Sequence, residues 1–446
     1  MEKMHTPTTL PGFPTAPGKW PVLGHMRTLA RDTRDTLVKY AQELGPAYWL
    51  SMGFNTWTLV VSGPAARQIM KNKETSSDIV GGRANHITSD TLLVEDGDPH
   101  KRMRGAMNAP FTPKGISAAN VGSLIGEVMD THLREWQGEG TLPIHTITSE
   151  IALDVIFRIL GVPGADLPQW RKIYNEYINA GIIIPIDLPG TPVRKSIQAA
   201  DWLDKQFEEL LERALEQGDE ETMLGALAHG KDDKGRTMTR RELLSNLRIL
   251  GLAGHETTAS TMAWMMLHAA AEPEIWEKLC AEANAADNPP LSPKDLKNFP
   301  YAEAFFRECL RLYPPVGMLP PRRVLEPISV GDKTIPPNTR VSALIFEMSM
   351  NEEEYPEPEK IKPERWTERS RRPGPAEAVQ FGGGPHFCLG YHLAVLEGTQ
   401  FIVYVARRLT ELGLTPTLSE DGIPTPKFIP LTRPPSSSKV VLKSAS

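Results

Sequence analysis

Cysteine is scarce in this sequence: Cys280, Cys309 and Cys388 stand far apart in a chain of 446 residues. An odd number of widely spaced thiols argues against a disulfide framework and favours a reducing compartment. The N-terminal stretch also lacks the apolar segment of a secretion signal, and no window reaches the roughly 18 apolar residues that a membrane span needs. We therefore expect a cytoplasmic protein without a membrane span.

Positive charge is not in excess. The chain has 49 Lys and Arg residues and 55 Asp and Glu residues, which gives a formal charge of −6. This balance gives no reason to expect a nucleic acid as partner. The chain also shows no internal repeat and no low-complexity linker that would divide it. We expect residues 1–446 to form a single domain, with residues 1–20 as a proline-rich N-terminal segment.

Signatures of a built-in electron source are missing as well. The sequence has no glycine-rich dinucleotide fingerprint on a βαβ unit, no flavin domain and no cysteine-rich iron–sulfur segment. We therefore expect no reductase to be fused to this chain. If the protein uses electrons, they must arrive from separate proteins.

Helical periodicity covers most of the chain, and strand-like segments are few. The helical patterns span roughly residues 35–50, 117–137, 150–160, 195–217, 239–271, 273–286, 301–312 and 390–411. Strand patterns cover residues 55–63, 328–335 and 440–442. The sequence therefore predicts a mainly α fold with small β-sheets.

The longest predicted helix, residues 239–271, has an unusual middle. Thr239 and Glu242 form a plausible capping box at its start, and Pro273 ends it. The central stretch "LGLAGHETTAS" contains two glycines, each of which costs helix stability of about 1 kcal/mol relative to alanine. Polar residues follow them where the flanks are apolar. This pattern fits either a functional site or a bent helix with a solvated stripe.

A second polar pair lies in "PYAEAFFRECLRLYPP", where Glu308 and Arg311 are three residues apart on one helix face. Taken alone, this pair is compatible with an ordinary surface ion pair worth well under about 1 kcal/mol.

The stretch "FGGGPHFCLG" places one thiol, Cys388, behind three consecutive glycines. A zinc site would need two or three further ligands at short spacing, and only His386 and His392 are near. A cysteine nucleophile would need a well-placed base, for which His386, two residues away in a loop, has poor geometry. A thiolate below an iron porphyrin needs no second protein sulfur, and glycines would let the backbone approach the macrocycle.

This stretch resembles the haem-thiolate loop of the cytochromes P450. The loop matches at Phe381, Gly384, His386, Cys388 and Gly390, with His386 where arginine is commoner. Three other motifs resemble the same family in its order and spacing: "AGHETT" its oxygen-activation motif, "ECLR" its ExxR motif, and "PERW" its usual Pro-Glu-Arg-Phe. The resemblance implies the cytochrome P450 fold, with a haem b (iron protoporphyrin IX) between the central helix and the cysteine loop.

The resemblance also implies roles for individual residues. Cys388 would be the iron ligand, and Glu256 and Thr257 would be catalytic residues that deliver protons during oxygen activation. Gly254 would leave a gap for O₂, and Glu308, Arg311 and Arg365 would form a structural ion network. The other expected haem contacts, with Arg323 as the alternative to Arg322, are His100, Arg104, Ala253, Arg322, Phe381, Gly382, His386 and Gly390.

The expected substrate is a bulky lipophilic molecule, because the segments that resemble the family's substrate-contacting regions are aliphatic. The residues predicted to contact it are Ile87, Leu92, Leu93, Ile183, Leu250, Ala253, Val316, Met318 and Ile429. Ordinary core packing is the alternative for each. We expect a terpenoid, a steroid or a related natural product, and a monomeric enzyme.

The reaction implied by the resemblance is the insertion of one oxygen atom of O₂ by hydroxylation or epoxidation. Electrons would come from NAD(P)H through a ferredoxin and a ferredoxin reductase or a similar donor. Two other possibilities stay open. One is a haem-thiolate peroxygenase or isomerase that does not use NAD(P)H-derived electrons, and the other is a non-catalytic haem-binding protein.

Overall fold

Helices dominate the part of the chain that this computed structural model describes, which is residues 12–30, 32–53, 56–71, 75–79, 85–178, 187–218, 221–368, 378–420, 422–428 and 431–445. Its α-helices are α1 (Met26–Leu29), α2 (Thr33–Leu44), α3 (Gly63–Met70), α4 (Asn85–Thr88), α5 (Gly97–Asn108), α6 (Pro113–Ala118), α7 (Val121–Leu133), α8 (Ile144–Ile159), α9 (Leu167–Ile178), α10 (Pro192–Glu216), α11 (Met223–Ala228), α12 (Arg240–Ala271), α13 (Pro273–Ala285), α14 (Pro300–Leu312), α15 (Ile345–Ser349), α16 (Glu364–Thr367) and α17 (Tyr391–Leu412).

The strands are short and form small sheets. They are β1 (Ala47–Ser51), β2 (Trp57–Val61), β3 (Thr75–Ser76), β4 (Gly140–Pro143), β5 (Arg322–Val324), β6 (Ile328–Val330), β7 (Lys333–Ile335), β8 (Arg340–Ala343), β9 (Leu414–Leu418), β10 (Lys427–Phe428), β11 (Thr432–Arg433) and β12 (Lys439–Ser444). The largest sheet has the order β1-β2-β8-β5-β3, in which β2 and β8 are parallel and the other pairs are antiparallel. The prediction of a mainly α fold with small sheets is confirmed.

Helix α12 begins where the sequence predicts. Thr239 accepts a hydrogen bond from the backbone N–H of Glu242 at 3.2 Å, and the Glu242 carboxylate accepts one from the backbone N–H of Thr239 at 2.7 Å. The helix runs for 32 residues and ends just before Pro273. At about 1.5 Å per residue it is about 48 Å long. Its neighbours α8, α14 and α17 share its main hydrophobic core.

The prediction of helix over residues 35–50 is wrong at its C-terminal end. Helix α2 ends at Leu44 because Gly45 adopts a φ of +92° and Pro46 cannot continue the helix. Residues Ala47–Ser51 instead form β1, which pairs with β2. The pattern over 117–137 is likewise divided, because Asn120 adopts a left-handed conformation before α7.

The site is positioned by the ends of several elements. The cysteine loop lies directly before α17, and Arg322 begins β5 in the largest sheet. A second core, centred on residues such as Leu59, Val341 and Ile345, fixes that sheet. Among the helices of the described residues, none combines the length and the apolar character that would let it cross a bilayer.

Candidate active site

The cysteine loop is closed by a backbone hydrogen bond in which the N–H of Cys388 donates to the carbonyl oxygen of Phe381 at 2.9 Å. Glycine is required inside the loop. Gly382 and Gly384 have φ values of +78° and +60°, and a Cβ on Gly384 would lie 2.7 Å from the carbonyl oxygen of Met70. The loop therefore packs against the end of α3 in a conformation that side chains disfavour.

Cys388 is a half-buried residue. Burial raises its pKa, whereas the backbone N–H of Gly390 and the charge of Arg104 act in the opposite direction. Arg104 donates a 2.6 Å hydrogen bond to the carbonyl oxygen of Phe387. A helix of the N-terminal half thus binds the residue next to the thiol.

Basic side chains gather beside this loop. The rings of His100 and His386 lie 4.2 Å apart between centroids. Burial, then the charges of His386 and Arg104, lower the pKa of His100 to about 4. Arg322 is also buried, at 8 % exposure. The structure therefore brings together four residues that the sequence predicts as haem contacts: His100, Arg104, Arg322 and His386.

Asp96, which sequence reasoning missed, holds this cluster in place. Its Oδ1 accepts a hydrogen bond from Arg322 at 3.1 Å and lies 3.1 Å from Nε2 of His386. Its Oδ2 accepts from the Ser77 backbone N–H at 2.5 Å and from the Ser76 hydroxyl at 3.0 Å. The only local signal was an aspartate at the cap position of α5. Its partners come from distant segments.

Arg322 and Arg323 point in different directions because successive side chains of a strand face opposite sides. Arg322 donates to Thr75 and Asp96. Arg323 instead pairs with Asp78 at 2.5 Å and donates to Asn338. Of the two arginines, Arg322 is the one in the basic cluster.

The donor set beside Cys388 fits a haem. The cluster has cationic and imidazole groups for the two haem carboxylates, and a single thiol lies next to it. His100 adds a specific indication, since its Nε2 is buried and has no hydrogen-bond partner among the described residues. A buried polar nitrogen without a partner is costly in protein, and a carboxylate would satisfy it.

The middle of α12 supplies the other candidate groups. Ala253 is exposed although the residues that follow it, such as His255 and Thr258, are buried, so the described chain does not cover this face. The Thr257 hydroxyl donates to the carbonyl oxygen of Ala253 at 2.7 Å. Burial raises the pKa of Glu256, and the charge of Arg433 opposes this shift.

Gly254 faces helix α8. A Cβ at this position would lie 3.3 Å from the Cδ1 atom of Ile156, so the glycine permits α8 and α12 to approach closely. The role of Gly254 in making room for O₂ stays a prediction.

The predicted substrate-contacting residues differ in their surroundings. Ile87 is buried in the main core, and Leu92 and Leu250 are partly buried against it. Leu93 is 36 % exposed, while Val316 and Met318 are half-buried. Ile183 and Ile429 lie outside the described residues.

The ExxR pair forms a buried network. Arg311 donates to both carboxylate oxygens of Glu308 at 2.9 and 2.8 Å, and both side chains are fully buried. Arg365 and the Trp366 indole also donate to Glu308, at 3.1 and 2.8 Å. The pair is therefore not a surface ion pair. It ties α14 to α16.

Comparisons with known proteins agree with this geometry. The family model "Cytochrome P450" matches residues 14–411. The chain is 32% identical to "Cytochrome P450 BJ-4" of Bradyrhizobium diazoefficiens, over 95% of this chain and 94% of that protein. It is 27% identical to "Taxane 10-beta-hydroxylase" of Taxus cuspidata, over 88% of this chain and 83% of that protein. The solved structure "Retinoic acid bound cyanobacterial CYP120A1" is 27% identical and has a TM-score of 0.79, over 97% of this chain and 100% of that chain. The chain belongs to the cytochrome P450 family of haem-dependent monooxygenases.

Proposed function

We propose that this enzyme inserts one oxygen atom of O₂ into a bulky terpenoid by hydroxylation or epoxidation. Its electrons would come from NAD(P)H through a separate ferredoxin and reductase. The observation that carries the proposal is the acid–alcohol pair Glu256–Thr257, which lies next to the uncovered Ala253 face of α12. Monooxygenation needs protons as well as electrons, and this pair can supply the protons.

We propose that Cys388 is the iron ligand and that the basic cluster binds the haem carboxylates. When bound, the haem supplies an iron whose thiolate ligand favours O–O cleavage. Arg104 would hold the cysteine loop in place through its hydrogen bond to the carbonyl oxygen of Phe387. His100 would donate from its buried Nε2, while Asp96 orients Arg322 and His386.

Glu256 and Thr257 would divide the proton-transfer task. Because burial raises its pKa, Glu256 retains a proton to a higher pH than an exposed glutamate and can release it in the reaction. The Thr257 hydroxyl donates to the carbonyl oxygen of Ala253. The hydroxyl oxygen of Thr257 can therefore still accept a hydrogen bond. Thr257 would thus hold a water or an oxygen species in place for proton transfer.

The substrate class rests on two kinds of support. The predicted contacts include Leu92, Leu250, Val316 and Met318, which offer apolar surface and no charge. The names of a taxane hydroxylase and a retinoic acid-bound P450 also refer to lipophilic terpenoid compounds. A charged, compact substrate would find few anchors among these side chains.

The test is turnover by the haem-loaded enzyme with NAD(P)H, a ferredoxin and its reductase against a panel of terpenoids and steroids. We expect oxygenated product from a terpenoid, with the new oxygen labelled by ¹⁸O₂. Thr257→Ala should release hydrogen peroxide in place of product, whereas Thr257→Ser should retain coupling. Product that forms with added hydrogen peroxide but not with NAD(P)H and O₂ would support the peroxygenase alternative and overturn the proposal.

A further inference from the structure

His255, next to Glu256 on α12, connects that acid to the surface of α8. The imidazole is 1 % exposed. Its Nε2 lies 2.7 Å from the hydroxyl oxygen of Ser149 on α8. Its Nδ1 lies 3.9 Å from Oε1 of Glu256 and has no hydrogen-bond partner among the described residues. One ring therefore faces a hydroxyl on one side and a carboxyl on the other.

Ser149 provides the link to water. It is half-buried, and its helix neighbours Thr146 and Glu150 are exposed. A proton acceptor in the interior can exchange with solvent through such a hydroxyl, because an O–H group both donates and accepts hydrogen bonds. A small side-chain rotation would bring Nδ1 of the ring and Oε1 of Glu256, which lie 3.9 Å apart, within hydrogen-bond distance.

The surroundings of this path, burial above all, favour an uncharged His255 ring. Burial, then the charge of His145 on α8, lower the pKa of His255 to about 4. The charge of Arg433 on β11 acts to lower the pKa of both Glu256 and His145. The β10–β11 hairpin is held against α12 because the Ser260 hydroxyl donates to the carbonyl oxygen of Thr432 at 2.6 Å.

We propose that Ser149 and His255 form a proton relay that reprotonates Glu256 from solvent. The Ser149 hydroxyl proton moves to Nε2 of the ring while the proton on Nδ1 moves to the ionised Glu256 carboxylate. Solvent then reprotonates Ser149, and the starting tautomer returns when Nε2 passes its proton back through the Ser149 hydroxyl to water and Nδ1 takes a proton from water. The net step transfers one proton from water to Glu256 and needs no oxidant. This relay rests on the proposed role of Glu256 in oxygen activation.

The first test compares Ser149→Ala and His255→Gln with wild type in the haem-loaded enzyme. We expect coupled NAD(P)H use to fall by about tenfold, with more hydrogen peroxide and a larger solvent deuterium isotope effect. Thr146→Ala, which removes an exposed hydroxyl from the same helix, is the matched control. The conservative variant Ser149→Thr should keep the wild-type values of all three quantities. Wild-type isotope effects and peroxide yields in Ser149→Ala and His255→Gln would overturn the relay.

A second test does not depend on turnover. The infrared band of the protonated Glu256 carboxyl, identified by its loss in Glu256→Gln, is followed as the pH changes. In His255→Gln its titration should move to higher pH, because the carboxylate loses the ring N–H that faces it. An unchanged titration would also overturn the relay. Failure of the wild type to oxygenate any substrate would instead count against the proposed function, and the infrared result would still decide the relay.

Discussion

The guanidinium of Arg104 on α5 donates a 2.6 Å hydrogen bond to the carbonyl oxygen of Phe387, the residue before Cys388. This bond joins the predicted haem-carboxylate cluster to the predicted iron ligand. A change of Arg104 should therefore weaken both the binding of the haem carboxylates by the cluster and the binding of the iron by Cys388.

For Arg104→Gln we expect the rate of haem release to rise about tenfold, since a hydrogen bond to a charged group contributes about 1.5–3 kcal/mol. The measurement is haem transfer to an excess of apomyoglobin, followed by absorbance. Lys101→Gln is the control, because Lys101 is exposed on the same helix. Equal release rates in Arg104→Gln and wild type would contradict the assignment.

Cys388→Ala should abolish the thiolate Soret band in the spectrum of the reduced enzyme with carbon monoxide, because no other sulfur is expected to bind the iron. Cys280→Ala is the control, since Cys280 lies on α13, away from the loop. The control should retain the band. A thiolate band in Cys388→Ala would show that the site assignment is wrong.

Local signals predicted the parts of this molecule that local interactions determine. The capping box of Thr239 and Glu242 predicted the start of α12, and Pro273 predicted its end. In contrast, "AYWLS" in β1 carries apolar residues that fit a helix pattern as well as a strand. Its pairing with β2 decides the outcome, and that pairing is not local.

The same division applies to the candidate site. Motifs marked Cys388, Arg104 and Arg322, because each lies in a recognisable short pattern. Asp96 was missed because its role arises only when β3, β5, α5 and the cysteine loop meet. Ser149 was missed for a similar reason, since its partner His255 is 106 positions away in the sequence. A contact between distant segments cannot be predicted from the local sequence of either segment alone.

Glu308→Gln should destabilise the fold strongly. The change leaves Arg311 and Arg365 beside a neutral group in a buried site, and breaking a buried ion pair costs about 3–5 kcal/mol. The measurement is the free energy of unfolding in urea, followed by circular dichroism. Glu127→Gln is the control, because Glu127 is 63% exposed and pairs with Arg158 at 3.3 Å. The control should change stability by less than about 1 kcal/mol, and an equally small effect of Glu308→Gln would refute the structural role.

Glu397 on α17 should make stability depend on pH. Burial raises its pKa to about 8 from its ordinary value of 4.5, and the residue is 4 % exposed. Between these two pH values the folded state keeps the proton and the unfolded state releases it. Stability contributed by this group is therefore lost as pH rises, by about 1.4 kcal/mol per pH unit.

Glu397→Gln removes this titration, so its free energy of unfolding should rise relative to wild type as the pH increases from about 5 to about 8. The measurement is urea unfolding of both proteins across that range. Glu411→Gln, at a 70% exposed position of the same helix, is the control and should show a constant difference from wild type. A constant difference for Glu397→Gln as well would mean that Glu397 is already ionised in the folded protein, because only a proton held by the folded state makes the difference change with pH.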